Sequence, residues 1–350
     1  SGNSNTWSGT TNVQEGSLRV SSANALGTSA ATRLSANTVL EIDGGVSLSE
    51  NIELNADSSL VNVSGSNSVT KPVLLKSNAN IDLQAGTLTL NPTTANSVSA
   101  QVGTTPTLTT LGSGDLVFQK ILNLGNKLDP SIATDFGVFS QNGSGTVEFK
   151  DSLYVSTLRS TGGGKVWLNQ ASGVPVSSVL SATNLIYLDN SSVLRRDRTE
   201  TVSGVSLQLG PKGGGIEVGN GFELDWDSTI SGAGAFTKGG DGTLRFPSTA
   251  NITYKGATSV TGGRLEVSSS NPTTATCTGT GASSLCSSGA KTTRLEEVKS
   301  NLLTADQSTT IASPLGIKGS ESSAANLDEP PKTPQLQTLD SGLQVDLRTT

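Results

Sequence analysis

The chain contains no histidine and no methionine, and it has only 2 cysteines in 350 residues. Without histidine, the Ser-His-Asp and Cys-His catalytic arrangements are excluded, and so are histidine-ligated metal sites. Two thiolates alone do not make a structural zinc site. We therefore expect no catalytic residues, no metal site and no cofactor, and we do not expect an enzyme.

Aromatic residues make up 4% of the chain and hydrophobic residues 33%, which is little for a compact globule. Small polar residues and 40 glycines take their place, and such a thin core suits a solenoid better than a thick sandwich. No run of about 18 apolar residues occurs, so the sequence predicts no membrane-spanning segment. The net charge of −6 argues against binding nucleic acid through its phosphates.

Short alternating runs fill most of the chain and are separated by glycine, asparagine, aspartate or serine. Typical runs are "GTLTLN", "GTVEFK", "GTLRF" and "GRLEV". Each has the period of a strand that turns two or three apolar side chains inward. Many short strands are compatible with a sandwich, a barrel or a solenoid, and internal repetition decides between these architectures.

The opening of the chain is repeated further along. Residues 248–267 align with residues 1–20 without a gap, and the alignment places Tyr254 on Trp7. Turn glycines and strand residues coincide as well. A unit of two strands and a turn cannot bury its own apolar face, but stacked units form a continuous core. The repetition therefore favours a solenoid of stacked coils.

Two stretches resemble a known family. "NTWSGTTNVQEGSLRVSSANALG" and "STISGAGAFTKGGDGTLRFPSTANITYKGATSVTGGRLEV" are similar to the passenger-associated transport repeat, also called the autotransporter-associated β-strand repeat. The resemblance extends, more loosely, over most of residues 1–270. It implies an all-β, right-handed parallel β-helix that a Gram-negative cell exports to its surface or beyond. It implies no specific activity, because one fold carries many functions.

The composition divides the chain into three parts. Residues 1–270 are expected to form the solenoid, and residues 271–340 a loop and extension rich in Ser, Thr, Gly and Pro. Residues 341–350 alternate again and are expected to form a C-terminal strand. Cys277 and Cys286 lie close together in the extension, where we expect a local disulfide and an oxidising compartment. The alternative is two unpaired thiols.

The two ends of the chain complement each other in sequence. "DSGLQVDLRTT" at the end, written before the opening residues, gives a nearly complete repeat. We therefore expect the last strand of one subunit to complete the first coil of the next by β-strand addition. The expected donor residues are Leu343, Val345 and Leu347, and the expected acceptor residues are Trp7, Val13, Leu18 and Val20.

The matching ends are also compatible with two different origins of the chain. The 350 residues could be one unit of a longer tandem-repeat protein, or a passenger fragment whose boundaries carry no meaning. The chain does not begin with methionine, and its opening residues lack the charged and apolar regions of a signal peptide. We therefore expect it to be a processed or excised piece of a longer precursor.

The leading functional hypothesis is a structural one. It makes the chain the subunit, or the tandem unit, of a fibre on the surface of a Gram-negative bacterium, with other copies of itself as partners. The first alternative is an adhesin passenger that binds host cells, other bacteria or glycans. It predicts a saturable ligand and a protein that stays monomeric.

A polysaccharide-active enzyme is the second alternative. Its candidate residues are in "FELDWDS", where Glu223, Asp225 and Asp227 would share an outward face beside Trp226. The competing interpretation is a solvated strand with Trp226 packed at a corner. The stretch "LRRDRTE", with Arg195 and Arg196, is expected to be a solvated loop held by its own ion pairs.

Overall fold

The structure is a computed structural model. It describes residues 5–93, 96–125, 136–170, 180 and 182–268, together with the backbone alone of six later strands. Throughout these residues the chain forms strands and turns, without a helix.

Two sheets form the first and second faces of the molecule. Sheet I, on the first face, contains in spatial order β1 (Thr11–Val13), β3 (Thr32–Leu34), β6 (Ile52–Leu54), β9 (Val73–Leu75), β12 (Asn96–Ala100), β15 (Ile121–Asn123) and β18 (Leu153–Tyr154). Sheet II, on the second face, contains β2 (Ser17–Val20), β4 (Val39–Asp43), β7 (Ser58–Ser64), β10 (Ala79–Leu83), β13 (Thr107–Gly112), β16 (Val138–Gln141), β19 (Thr157–Ser160), β21 (Leu185–Leu188), β24 (Ser206–Leu209), β27 (Thr229–Gly232) and β30 (Asn251–Ile252).

Two further sheets complete the solenoid. Sheet III, on the third face, contains β5 (Ser47–Leu48), β8 (Ser66–Val69), β11 (Thr87–Leu90), β14 (Asp115–Phe118), β17 (Thr146–Phe149), β20 (Lys165–Leu168), β22 (Ser192–Arg196), β25 (Gly214–Val218), β28 (Phe236–Gly239), β31 (Thr258–Val260), β33 (Ala275–Cys277), β35 (Thr309–Ala312) and β36 (Gly316–Lys318). Sheet IV takes the place of sheet I in later coils and contains β23 (Glu200–Ser203), β26 (Glu223–Asp227), β29 (Thr243–Phe246), β32 (Arg264–Val267) and β34 (Leu285–Ser288).

A separate two-stranded sheet pairs β37 (Gln335–Thr338) with β38 (Gln344–Leu347) in antiparallel fashion. The pairs β33 with β35 and β35 with β36 are antiparallel too. All other strand pairs in the described sheets are parallel, which is the arrangement of a solenoid.

One coil consists of a strand on each face in turn, and coils stack in register. Leu18 lies beside Leu40 of the next coil, and Leu40 lies beside Leu60 of the coil after that. The 11 strands of sheet II mark eleven successive coils in the described residues. At the usual strand spacing of about 4.8 Å, the stack is roughly 50 Å long. The all-β parallel solenoid that the sequence predicts is confirmed.

Side chains alternate between the interior and the surface along each strand. In β14, Leu116 and Phe118 are buried while Asp115 is exposed. Phe118 stacks on Phe149 of the next coil with ring centroids 4.8 Å apart, and Phe139 packs edge-on against both rings. Each buried side chain of this kind contributes about 1.5–3 kcal/mol, and the stacking of Phe118 on Phe149 shows burial against a neighbouring coil.

Glycine at the corners allows the coils to approach closely. Gly86 has a φ of +72°, and a Cβ atom at this position would lie 2.2 Å from the carbonyl oxygen of Gly65 in the preceding coil. A side chain there would meet backbone that cannot move aside, and left-handed backbone also disfavours it. This close stacking accounts for part of the high glycine content.

The two copies of the repeat form the same two strands on different faces. In the opening copy they are β1 and β2, in sheets I and II, whereas in the internal copy they are β31 and β32, in sheets III and IV. A unit of two strands and a turn contains nothing that specifies a face. Its position depends on how many faces the chain has already crossed, which the alignment of the copies does not reveal.

Leu207 in the middle of sheet II provides a test of the stacked core. It is fully buried, whereas its neighbour Gln208 in β24 is exposed. Leu207→Asp should lower the free energy of unfolding by at least about 3 kcal/mol, because it removes buried apolar volume and introduces an unpaired charge. Gln208→Asp should change it by less than about 0.5 kcal/mol. Urea denaturation of both variants checks this, and equal midpoints would contradict the inward alternation.

Candidate functional site

The first coil leaves two sheets with an unpaired side. Among the described residues, β1 pairs only with β3, and β2 pairs only with β4. Their other sides present backbone N–H and C=O groups that no described strand pairs. Such an edge is a template for the addition of another strand. We call β1, β2 and residues 5–7 the N-terminal edge.

Trp7 on this edge is exposed, although its counterpart in the internal copy is buried. Trp7 is 48% exposed and Tyr254 is 3% exposed. The ring of Tyr254 packs against Phe236 of the preceding coil, with ring centroids 5.6 Å apart, and its hydroxyl is hydrogen-bonded to Thr258. No described coil covers Trp7 in the same way. The edge therefore exposes an aromatic side chain at a repeat position that a preceding coil can bury.

The other three predicted acceptor residues line the end of the core. Val13 and Val20 are buried, while Leu18 is partly buried and packs against the core. Leu265, the counterpart of Leu18, is fully covered. The structure thus brings all four predicted acceptor residues together at one end of the solenoid, with Trp7 the most exposed of them.

The predicted donor residues belong to the far end of the chain. Val345 and Leu347 lie in β38, which pairs with β37, while Leu343 lies outside the described residues. Cys277 lies in β33 and Cys286 in β34, but the side chains of both lie outside the described residues. The disulfide therefore stays a prediction.

The acidic stretch 223–227 is a strand whose carboxylates share the outward face, as the alternation predicts. Arg245 of the next coil holds two of them, with Nη1 lying 2.6 Å from Glu223 Oε2 and 3.8 Å from Asp225 Oδ1. The hydrogen bond to Glu223 and, after it, the hydrogen bond to Glu266 raise the pKa of Arg245. The Trp226 ring is 1% exposed and packs in the core, so it cannot stack on a sugar at the surface.

The expectation of a solvated loop around Arg195 and Arg196 is wrong. Both residues lie in strand β22. Arg195 points outward, pairs with Asp197 at 2.9 Å and lies 4.6 Å over the ring of Trp167. Arg196 points into the core and is 2% exposed. Its guanidinium forms a buried ion pair with Glu200. The ion pairs are therefore present as expected, but only one of them is on the surface.

The position of Arg196 has a structural reason. Sheet I ends at β18 and sheet IV begins at β23, so the coil of β21 and β22 has no described strand on the first face. Arg196 Nη1 donates to the carbonyl oxygen of Leu168 at 2.6 Å and also contacts Gln170. Its guanidinium therefore satisfies backbone and side-chain acceptors at the corner where one sheet gives way to the other.

Lys238 is a second buried cation that the sequence reasoning missed. Its side chain is fully buried between Ile216 and Val260 in the inward column of sheet III. Nζ donates to the carbonyl oxygens of Gly239 and Gly240 at 2.7 Å and of Gly262 at 3.0 Å. Burial lowers the pKa of Lys238 to about 8. The ammonium group thus joins the turns of two successive coils.

Strand alternation was the available signal for these buried charges. Lys238 follows buried Phe236 by two residues, and Arg196 follows buried Leu194 by two residues. Their charge suggests a surface position, but their place in the period-2 pattern predicts an inward one. The pattern was the better guide in both cases.

The fold and the edge define a parallel β-solenoid made of repeats. The Passenger-associated-transport-repeat family model matches residues 1–20 and 236–267. These ranges contain β1 and β2 of the opening copy and the five strands β28 to β32 around the internal one. Together with the solenoid, this match fits an autotransporter passenger repeat family. Comparison with curated proteins and with solved structures found no match to the chain.

No group of three or more acidic, histidine or cysteine side chains in the described part of the chain is placed to hold a metal ion. Among the described residues there is also no helix with the length and apolar character needed to cross a membrane.

Lys238 predicts a pH dependence of stability. Because its pKa is about 8 in the folded protein and near 10.5 otherwise, the folded state binds fewer protons than the unfolded state between these values. The free energy of unfolding therefore gains a contribution that grows with pH across this window, by up to about 3 kcal/mol. The variant Lys238→Met has no titratable group at this position and therefore lacks this pH-dependent contribution.

Urea denaturation of the native protein and of Lys238→Met at pH 7 and pH 10 measures this contribution. The native protein should gain stability relative to the variant at the higher pH. Comparing the two proteins at each pH cancels the titration of all other groups. A stability difference that is the same at both pH values would show that the lysine is not held in the interior.

Proposed function

We propose that the chain is a structural, non-enzymatic component of an extracellular fibre on a Gram-negative cell, assembled by strand addition at the N-terminal edge. The repeat match and the solenoid suggest an autotransporter passenger-like domain at the cell surface or beyond it. The observation that carries the proposal is the exposed Trp7 beside the unpaired sides of β1 and β2. The proposed partner is another copy of the same unit.

The internal copy of the repeat supplies a template for the contact. There β29 pairs with β32, and Leu244 lies beside Leu265. The sequence alignment places Leu347 on Leu244 and Leu18 on Leu265. The proposed donor strand would therefore add to β2 in parallel, with Leu347 beside Leu18. If the unit recurs in tandem within one chain, the same contact would join successive units.

The pairing of β38 with β37 constrains this proposal. A donor strand has two sides, and β37 occupies one of them in the single chain. Addition to β2 would therefore use the other side of β38 or would release β38 from β37. A head-to-tail contact that stacks one solenoid on the end of the next does not bring the chain of subunits back to its start, so it propagates into a filament rather than a ring.

An adhesin is the competing function. Exposed aromatic patches often mark binding surfaces, but the large exposed hydrophobic side chains in the described residues are scattered: Trp7, Val102, Leu111 and Phe222. This scatter favours the structural role. An adhesin would stay monomeric at high protein concentration and bind a ligand saturably.

Deletion and substitution at the two proposed surfaces test the assembly. The full chain should form filaments in negative-stain electron microscopy, and a version without residues 341–350 should give single rods. Trp7→Asp should raise the critical concentration for assembly at least about tenfold, because a buried aromatic anchor at an interface is worth about 2 kcal/mol or more. Trp7→Tyr restores the residue type of the internal copy and should assemble.

Gln208→Asp is the matched control, because Gln208 is exposed in β24, in the middle of the stack and away from the N-terminal edge. It introduces the same charge and should leave assembly unchanged. Filaments from the truncated chain would overturn the donor strand. Single rods from every version at high concentration would overturn self-assembly and would direct the search to a ligand.

A charge reversal tests the register of the proposed contact. The alignment places Arg348 beside Arg19, where the internal copy pairs Arg245 with Glu266 at 2.6 Å. Like charges directly opposite each other on adjacent strands are unfavourable. Arg348→Glu should therefore lower the critical concentration for assembly, and Arg348→Lys should leave it unchanged. Weaker assembly of Arg348→Glu would mean that the strands pair in another register.

A further inference from the structure

The loop of residues 21–31, which joins β2 to β3, anchors the first residues of the N-terminal edge. The amide of Thr28 donates to the carbonyl oxygen of Trp7 at 2.9 Å, and Asn5 Nδ2 donates to the carbonyl oxygen of Ala25 at 2.6 Å. Leu26 fixes the loop in the core and is 2% exposed. The position of Trp7 therefore depends on this loop.

The carboxyl group of Glu50 lies beneath the same loop. Glu50 occupies the corner between β5 and β6 in the second coil and is 3% exposed. It is hydrogen-bonded to the side chain of Ser29. Its Oε2 atom is buried and has no hydrogen-bond partner in the described part of the chain. A buried carboxylate with so few donors is costly to ionise.

Ser29 can form hydrogen bonds to both Ala31 and Glu50 only when the carboxyl group of Glu50 is protonated. The Ser29 hydroxyl donates its single hydrogen to the carbonyl oxygen of Ala31 at 2.9 Å. It is then left to accept a hydrogen bond from Glu50, which a protonated carboxyl group can donate. The Ala31 carbonyl oxygen also accepts from the amide of Thr11 in β1 at 2.9 Å. One chain of hydrogen bonds therefore connects Glu50 to the first strand of the edge.

No charged group among the described residues offsets this burial. Burial raises the pKa of Glu50 to about 7, while the hydrogen bond to Ser29 acts in the opposite direction. Lys71 occupies the corresponding corner of the third coil, 21 residues on, as the pairing of Ile52 with Val73 indicates. On the neighbouring outer face of sheet I, Arg33 and Lys76 are both paired with Glu53.

We propose that Glu50 is a pH-sensitive latch, whose protonated carboxyl group holds residues 21–31 and, through them, the N-terminal edge. Ionisation makes Glu50 compete for the one hydrogen of Ser29, so the bond to Ala31 or the bond to Glu50 is lost. The loop and Trp7 are then less firmly held. The consequence for assembly rests on the proposed function, whereas the latch itself is a property of the single chain.

Hydrogen exchange followed by mass spectrometry tests the latch on the full-length monomer at low concentration. The sign follows from the protons bound: the closed state holds the proton that the open state releases, so protection falls as pH rises through the pKa. Between pH 5.5 and pH 8, peptides covering residues 21–31 should lose protection by about tenfold relative to Glu50→Gln at the same pH. Glu50→Gln keeps a donor for Ser29 and should stay latched.

Two further variants separate the latch from general loss of stability. Glu53→Gln removes an outward carboxylate of the same coil and should keep the native pH dependence. Ser29→Ala removes the connecting hydroxyl and should lower protection of the loop at pH 5.5. Equal pH dependence of the native protein and Glu50→Gln would overturn the latch.

Assembly at the two pH values is a separate measurement. If the edge is the assembly surface, the native protein should form filaments at a lower concentration at pH 5.5 than at pH 8, and Glu50→Gln should show no such difference. A pH-dependent loop in a protein that never assembles would support the latch and contradict the proposed function. Filaments from a protein whose loop protection does not change with pH would support the proposed function and contradict the latch.

Discussion

The structure depends on the burial of each coil against its neighbours. A single coil has an apolar side but no second layer to cover it, so stacking provides both the core and the partners for its backbone N–H and C=O groups. The columns of leucine, valine and phenylalanine, the in-register strands and the glycine corners all follow from this requirement. The same requirement makes the last coil at either end of the stack different from the others.

Buried charges are the exceptions to the apolar interior, and the structure accommodates each in its own way. Lys238 donates to three carbonyl oxygens of two turns, and Arg196 combines an ion pair with backbone acceptors at a change of sheet. The carboxyl group of Glu50 has Ser29 as its one side-chain hydrogen-bond partner among the described residues. The first two groups are well satisfied and hold neighbouring coils together, whereas the third is poorly satisfied and therefore sensitive to its protonation state.

The two repeat copies differ in the burial of their aromatic residue, which is exposed at the N-terminal edge and buried in the internal copy. Both copies have the same strands and turn. In the internal copy, the aromatic ring of Phe236 in the preceding coil packs against Tyr254, whereas no described coil precedes Trp7. Trp7 is exposed because no described coil covers it in the same way. The repeat match and the solenoid suggest an autotransporter passenger-like domain, and the uncovered position indicates where a further coil would fit. This is why the proposed role is structural.

The strands, the inward and outward residues and the stacked arrangement could be predicted from the amino-acid sequence, because a period of two and a repeated unit are properties of the chain alone. The sequence also predicted the shared outward face of Glu223 and Asp225. The folded structure was needed to show that Arg245 holds both carboxylates, which groups satisfy the buried Arg196 and Lys238, and that the two repeats occupy different faces. These features depend on residues about 20 or more positions apart, which meet only when coils of unequal length are stacked in register.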